Sequence, residues 1–177
     1  MEVMNKVKKE YDKVIKLKNF NINSNKEILL YNNMTLNDVK SSIFYNINNG
    51  KEGCSYHYAF YLNNLLNAEG IYSEIILSIG AKYNDKKRHT SACVLYKNND
   101  EFFVACLDNE ELDNKGKHKN EYAYRIPLKH YLDNYVKDYI INLGSLYKRK
   151  YNYMFSDYLA DGELYSKKKF LKLKQPK

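Results

Sequence analysis

Residues 71–107 read IYSEIILSIGAKYNDKKRHTSACVLYKNNDEFFVACL, and three short segments within them decide the fold. IYSEIILSI (71–79), TSACVLYK (90–97) and EFFVACL (101–107) are dense in β-branched and aromatic residues and are parted by polar turns. That is the pattern of strands. Asparagine tolerates positive φ, so Asn98-Asn99 suits a tight type I′ hairpin between the last two segments. With that turn, Lys97 faces Asp100, Leu95 faces Phe102, Ser91 faces Cys106 and His89 faces Asp108. A slip of one residue would send the last pair to opposite faces, so the spacing carries information.

On both sides of these strands the apolar spacing turns helical. Upstream, Tyr58, Ala59, Leu62, Leu65 and Leu66 stripe CSYHYAFYLNNLLNAEG (54–70), and Gly70 is placed to stop that helix. Thr35 with Asp38 reads as an N-cap opening a helix through Leu36, Val39, Ile43 and Phe44, closed by the turn cluster NINNGKEG (46–53). Val3, Val7, Tyr11, Val14 and Ile15 make residues 2–19 a basic amphipathic helix. Downstream, Pro127 sits at a first-turn position before Leu128, Tyr131, Leu132, Tyr135, Val136 and Ile140, which predicts more helix. The last stretch, SKKKFLKLKQPK, is expected to fray. The expected architecture is therefore α+β, a short antiparallel sheet flanked by helices. Residues 1–177 are expected to form a single domain with N-terminal helices over 2–49, a core segment over 50–110, C-terminal helices over 111–165 and a basic tail over 166–177.

With 177 residues there is room for a real core, and 44% hydrophobic residues are too many for a disordered chain. No apolar run approaches the ~20 residues that cross a bilayer, and MEVMNKVKKEYDKV lacks the apolar segment of a secretory signal, so a cytoplasmic location is expected. The net charge of +8 invites a nucleic-acid partner. Only Arg88, Arg125 and Arg149 among the 29 basic residues are arginines, however, and arginine dominates phosphate and base recognition. Nucleic acid is thus the less favoured partner. The positive charge is concentrated in 2–19 and 166–177, whereas 50–110 mixes Lys with Asp and Glu.

The three cysteines differ in setting. Cys93 and Cys106 lie among Val, Ala, Leu and Phe and read as small buried side chains. Cys54 follows Gly53 and opens a helix, where unsatisfied N–H groups and the helix dipole favour a thiolate. Counting back by fours from Leu62 through Tyr58 puts position 54 on the buried face of that helix. An imidazole at His89 beside a carboxylate at Asp108 would have its tautomer fixed and its charged form stabilised. The order is nucleophile, base, orienting carboxylate.

GCSYHYAFYLNNLLNAEGI, HTSACVLY and FFVACLD together resemble the transglutaminase-like superfamily of papain-type thiol enzymes. Members place Cys at the start of a helix ending in Gly-Ile, His at the head of a following strand and Asp on the next strand. The matching positions are Cys54, Gly70-Ile71, His89 and Asp108, and the resemblance covers about residues 50–110. It departs from the family at Tyr72-Ser73-Glu74, where Pro-Ala-Arg is usual, and in having no Trp after the histidine. The resemblance implies a papain/transglutaminase-like core and a Cys-His-Asp triad acting on peptide or protein amide bonds without a cofactor. A cysteine protease or amidase comes first, a transglutaminase or peptide-maturation role second.

The backbone N–H of Cys54 is the natural oxyanion donor, with Asn48, Asn49 or Tyr56 as candidates for a second. His57 is a candidate secondary base, and Cys54, His57, His89 and Asp108 are a set that could surround zinc. No paired C-x-x-C supports a metal, and none is expected. His118 and His130 read as chemically idle, and Asp113 as a weaker carboxylate than Asp108. The rival reading is a non-catalytic domain of the same fold that docks an acidic partner or nucleic acid through its basic flanks.

Overall fold

A computed structural model of the chain describes residues 2–17, 31–49, 55–79, 91–107, 123–148 and 153–175. Helix α1 spans Val3–Leu17, α2 Leu36–Asn48 and α3 Ser55–Ala68. Strands β1 (Ser73–Ile79), β2 (Ser91–Asn98) and β3 (Glu101–Cys106) follow, then β4 (Ile126–Pro127), α4 (Leu128–Tyr135) and β5 (Tyr139–Gly144). A single 3₁₀ turn at Leu146–Lys148, α5 (Phe155–Ala160), β6 (Glu163–Ser166) and α6 (Lys167–Leu173) complete the described chain. The sheet runs β4-β3-β2-β1-β5-β6, antiparallel at every junction. The fold is α+β: six described helices lie on the two faces of a six-stranded antiparallel sheet.

Local chemistry sets the helix ends. The Thr35 hydroxyl accepts the Asp38 N–H at 3.3 Å, satisfying one of the donors left over at the start of α2. Past α3, Gly70 takes φ +77°. The Ile71 N–H then reaches back to the Leu66 carbonyl at 2.9 Å and the Gly70 N–H to Asn67 at 3.1 Å, a Schellman closure.

One face of the sheet (Ile75, Leu77, Ala92, Val94, Tyr96, Ala105, Leu143) is covered by α1, α2, α3 and α5. Every residue of α3 from Ser55 to Asn63 is buried, so this helix is wrapped by protein rather than laid on its surface. Asn63 survives there because each end of its amide is used. Its nitrogen donates to Ser73 Oγ at 2.7 Å, and its oxygen accepts from Ser145 Oγ at 3.2 Å and from the Leu146 N–H at 3.1 Å. The opposite face (Ile76, Cys93, Leu95, Val104, Cys106, Ile140) is covered by α4 and α6 through Tyr131, Leu132 and Phe170.

Three sequence expectations are corrected. The hairpin turn is Asn99-Asp100, one residue later than expected, with Asn98 opposite Glu101 and Leu95 opposite Val104. Of the non-glycine described residues, only Asn99 has positive φ (56°), so the turn is not type I′, which needs it at both central positions. The region 111–165, expected as helices, holds α4 and α5 but also contributes β4 and β5 and the start of β6. The described part of the basic tail forms helix rather than fraying: Ser166 Oγ caps α6 by accepting the Lys169 N–H at 3.2 Å, and Phe170 is fully buried.

Candidate functional site

Three element ends meet at one edge of the larger core. Ser55, the first residue of α3, is buried, and its hydroxyl accepts the Ala92 N–H of β2 at 3.2 Å. Next to Ala92, Cys93 pairs directly with Cys106 at the end of β3. The carbonyl of Cys106 accepts a hydrogen bond from the Tyr11 hydroxyl of α1 at 2.6 Å. The start of the central helix, the start of β2 and the end of β3 are thereby tied together and to α1.

Cys54, His89 and Asp108 lie outside the described residues, as do His118 and Asp113. Strand β2 is described from Ser91 onward, and the chain after β3 as far as Leu107. The described register changes the expected pairing: Cys93, rather than Ser91, stands opposite Cys106, so the register that set His89 against Asp108 does not hold. A displacement of two residues keeps the parity of the faces, since side chains alternate with a period of two.

The secondary candidates fall within described helices. His57 is on α3, 1% exposed, with its ring edge-on to Tyr31 at 5.8 Å. Burial holds its pKa down at about 4, so the ring is neutral. This is a core histidine, poorly suited to take a proton from a thiol. Asn49 caps its own helix, its side-chain nitrogen donating to the Tyr45 carbonyl at 2.7 Å. The Asn48 side-chain oxygen accepts the Tyr61 hydroxyl at 3.0 Å, joining α2 to α3. Tyr56 is buried with its ring 6.3 Å from that of Phe60. His130 is exposed on α4, its Nδ1 3.2 Å from the Asn134 side-chain nitrogen, on the helix that covers the opposite face of the sheet from α3.

Two residues that hold the candidate region together escaped the sequence reading. Ser55 was hidden by its neighbour Cys54, and its bond to Ala92 joins positions 37 residues apart, which no local pattern announces. Tyr11 belongs to the apolar stripe of α1, where its hydroxyl had no visible assignment.

Among the described residues no group of three or more His, Cys, Asp or Glu is arranged to hold a metal ion. No described helix is long and apolar enough to cross a membrane. Comparison with known proteins finds no matching family model, no matching curated protein and no matching solved structure.

Proposed function

We propose that the chain is a thiol-dependent acyl-transfer enzyme acting on peptide or protein amide bonds, with Cys54 as nucleophile, His89 as base and Asp108 as the orienting carboxylate. The observation that carries this reading is the Ser55–Ala92 hydrogen bond, which fixes the head of α3 against the head of β2. Cys54 is one residue from Ser55, Asp108 one from Leu107 and His89 three from Ala92. At about 3.8 Å per residue, covalent reach keeps each within ~11 Å of a described anchor. In the reaction the Cys54 thiolate adds to the carbonyl carbon and the amide C–N bond breaks. The amine leaves with a proton from His89, and water then releases the acid from the thioester. Hydrolysis is favoured over amine acceptance, and no cofactor enters.

The described hairpin sets one condition. Its alternation turns Cys93 and Cys106 toward α4 and α6, away from α3. His89 shares the parity of Cys93, and Asp108 that of Cys106. A triad facing α3 therefore requires the alternation to change by one residue between Ala92 and His89, and again between Cys106 and Asp108. Breaks of this kind are common at strand ends beside active sites.

Alkylation tests the reading. Iodoacetamide near pH 6 is expected to label Cys54 well before Cys93 and Cys106, and His89→Ala is expected to slow that labelling by about tenfold by removing the base that stabilises the thiolate. Equally slow labelling of all three cysteines, or a rate indifferent to His89→Ala, would overturn it.

A second reading is favoured by the folded state of the basic tail, whose Lys168, Lys169 and Lys172 are exposed on α6. On this reading the domain binds an acidic partner or nucleic acid without chemistry. A salt titration of binding to a single-stranded oligonucleotide decides it: affinity that falls steeply with salt supports docking, and no affinity at low salt removes it.

A further inference from the structure

Cys93 and Cys106 are direct cross-strand partners, and both are completely buried. The Cys106 N–H points away from β2, to the Ala123 carbonyl at 2.8 Å. The two cysteines therefore occupy a non-hydrogen-bonded site of the ladder. In such sites the Cα atoms of partners stand about 4.5 Å apart and the side chains draw closest. That separation lies inside the range a disulfide spans without moving the backbone. The sulfurs are 3.3 Å apart. No other pair of cysteines among the described residues exists, and Tyr131 of α4 closes the pair from above, its hydroxyl donating to Cys93 Sγ at 3.4 Å.

We infer that Cys93 and Cys106 form a redox-active dithiol, an oxidation site that converts to an intrachain disulfide across the β2–β3 hairpin. The oxidant is a hydroperoxide small enough to enter the packed face. One thiol attacks the peroxide, breaking the O–O bond and becoming a sulfenic acid as water or alcohol leaves. The second sulfur displaces hydroxide from it, and the S–S bond forms with loss of water. Two thiols are oxidised by two electrons, one peroxide is reduced, and both thiol protons end in the departing water or alcohol. The two S–H groups need no partner from outside the hairpin, so the product is the same fold with one added bond. That bond would clamp β2 to β3 at the edge where Ser55 meets Ala92, next to the strand ends that lead to His89 and Asp108. The proposal does not depend on the chemistry assigned to Cys54.

The test uses the full chain carrying Cys54→Ser, in which Cys93 and Cys106 are the remaining thiols. The folded protein is titrated with hydrogen peroxide, quenched, unfolded and alkylated, and its peptides are weighed. The expected result is joint loss of both thiols, a linked 93–106 peptide lighter by two hydrogens, and full recovery of both thiols with a phosphine reductant. Three results would overturn the inference: separate conversion to sulfinic or sulfonic acids, linkage between chains, or two thiols still alkylatable at a peroxide dose that oxidises them in the urea-unfolded chain.

Discussion

The two faces of the sheet are built differently. The face under α1, α2, α3 and α5 is covered mainly by helices of 15, 13 and 14 residues, with the 6-residue α5 beside them, and its core is rich in aromatic rings. The face under α4 and α6 is covered by helices of 8 and 7 residues. It encloses the two thiols and is fastened at one side by an ion pair. There Lys174 Nζ lies 2.8 Å from the Glu74 carboxylate, with side chains only 13% and 10% exposed. Short helices have little intrinsic stability, so α4 and α6 depend on what they bury and on a few polar ties. The first face is a core in its own right; the second is held on.

Breaking the first face should therefore cost most. Phe60 is fully buried on α3, with Phe155 edge-on at 5.9 Å and Tyr158 at 6.5 Å. Phe60→Ala is expected to destabilise by about 4 kcal/mol, through lost transfer energy and a cavity that the wrapped helix cannot close. The denaturant midpoint measures it. A loss near 1 kcal/mol would mean that this core relaxes as readily as a peripheral one.

The same face carries the acid sensitivity. His57 titrates near its ordinary 6.5 in the unfolded chain and at about 4 in the folded one. Between those values the unfolded state binds more protons, so stability rises with pH across the window. It is lost as pH falls from about 6.5 toward 4, and no further below. The shift corresponds to roughly 3 kcal/mol. Denaturant midpoints at pH 7 and pH 4.5 should differ markedly in the natural chain, and much less in His57→Phe. Equal pH dependence in both would place the sensitivity elsewhere.

How much of each face was legible follows from the range of the interactions that make it. Thr35, Gly70 and the stripe Val7, Tyr11, Val14 act within a few residues of themselves, so their helices read directly from the sequence. On the second face, Leu128, Leu132, Val136 and Ile140 recur at a spacing of four and imitate one continuous helix. The chain instead leaves the helix after Tyr135, because Ile140 and Ile141 pair with Ser78 and Leu77 of β1, about sixty residues earlier. No local pattern announces such a pairing. The run Asn98-Asn99-Asp100 offers two adjacent two-residue turns, and residue types alone did not choose between them. For the candidate site, the sequence supplied residue types and order. Its anchoring by Ser55 and Tyr11 depends on contacts 37 and 95 residues apart.

A smaller effect is expected at the ion pair that fastens the second face. Lys174 also lies over the rings of Phe102 at 5.1 Å and Phe170 at 5.8 Å, so it covers apolar surface while neutralising Glu74. Glu74 keeps the Tyr72 hydroxyl and the Asn142 amide as further donors, the latter at 3.4 Å. Lys174→Ala should cost about 2 kcal/mol, below the usual penalty for orphaning a buried charge because those donors remain. Protection of the α6 amides from hydrogen exchange should fall with it, while α3 stays protected. Equal loss of protection in both helices would merge the two faces into one cooperative unit.

The smallest expected effect separates the faces most cleanly. The first turn of α6 is Lys167-Lys168-Lys169, three cations at the positive end of the helix dipole, with no acidic residue in that turn. Against that repulsion the Ser166 hydroxyl supplies the side-chain cap, and Lys167 donates to the Val136 carbonyl at 3.2 Å. Ser166→Ala should lower stability by about 1 kcal/mol and Ser166→Asp should restore or exceed the natural value, since a carboxylate caps the same N–H and offsets the lysines. At the head of α2, Asp38 already stands in the first turn, so Thr35→Asp should gain little. If aspartate stabilises both positions equally, the weakness of the second face is not electrostatic, and the shortness of its helices alone accounts for it.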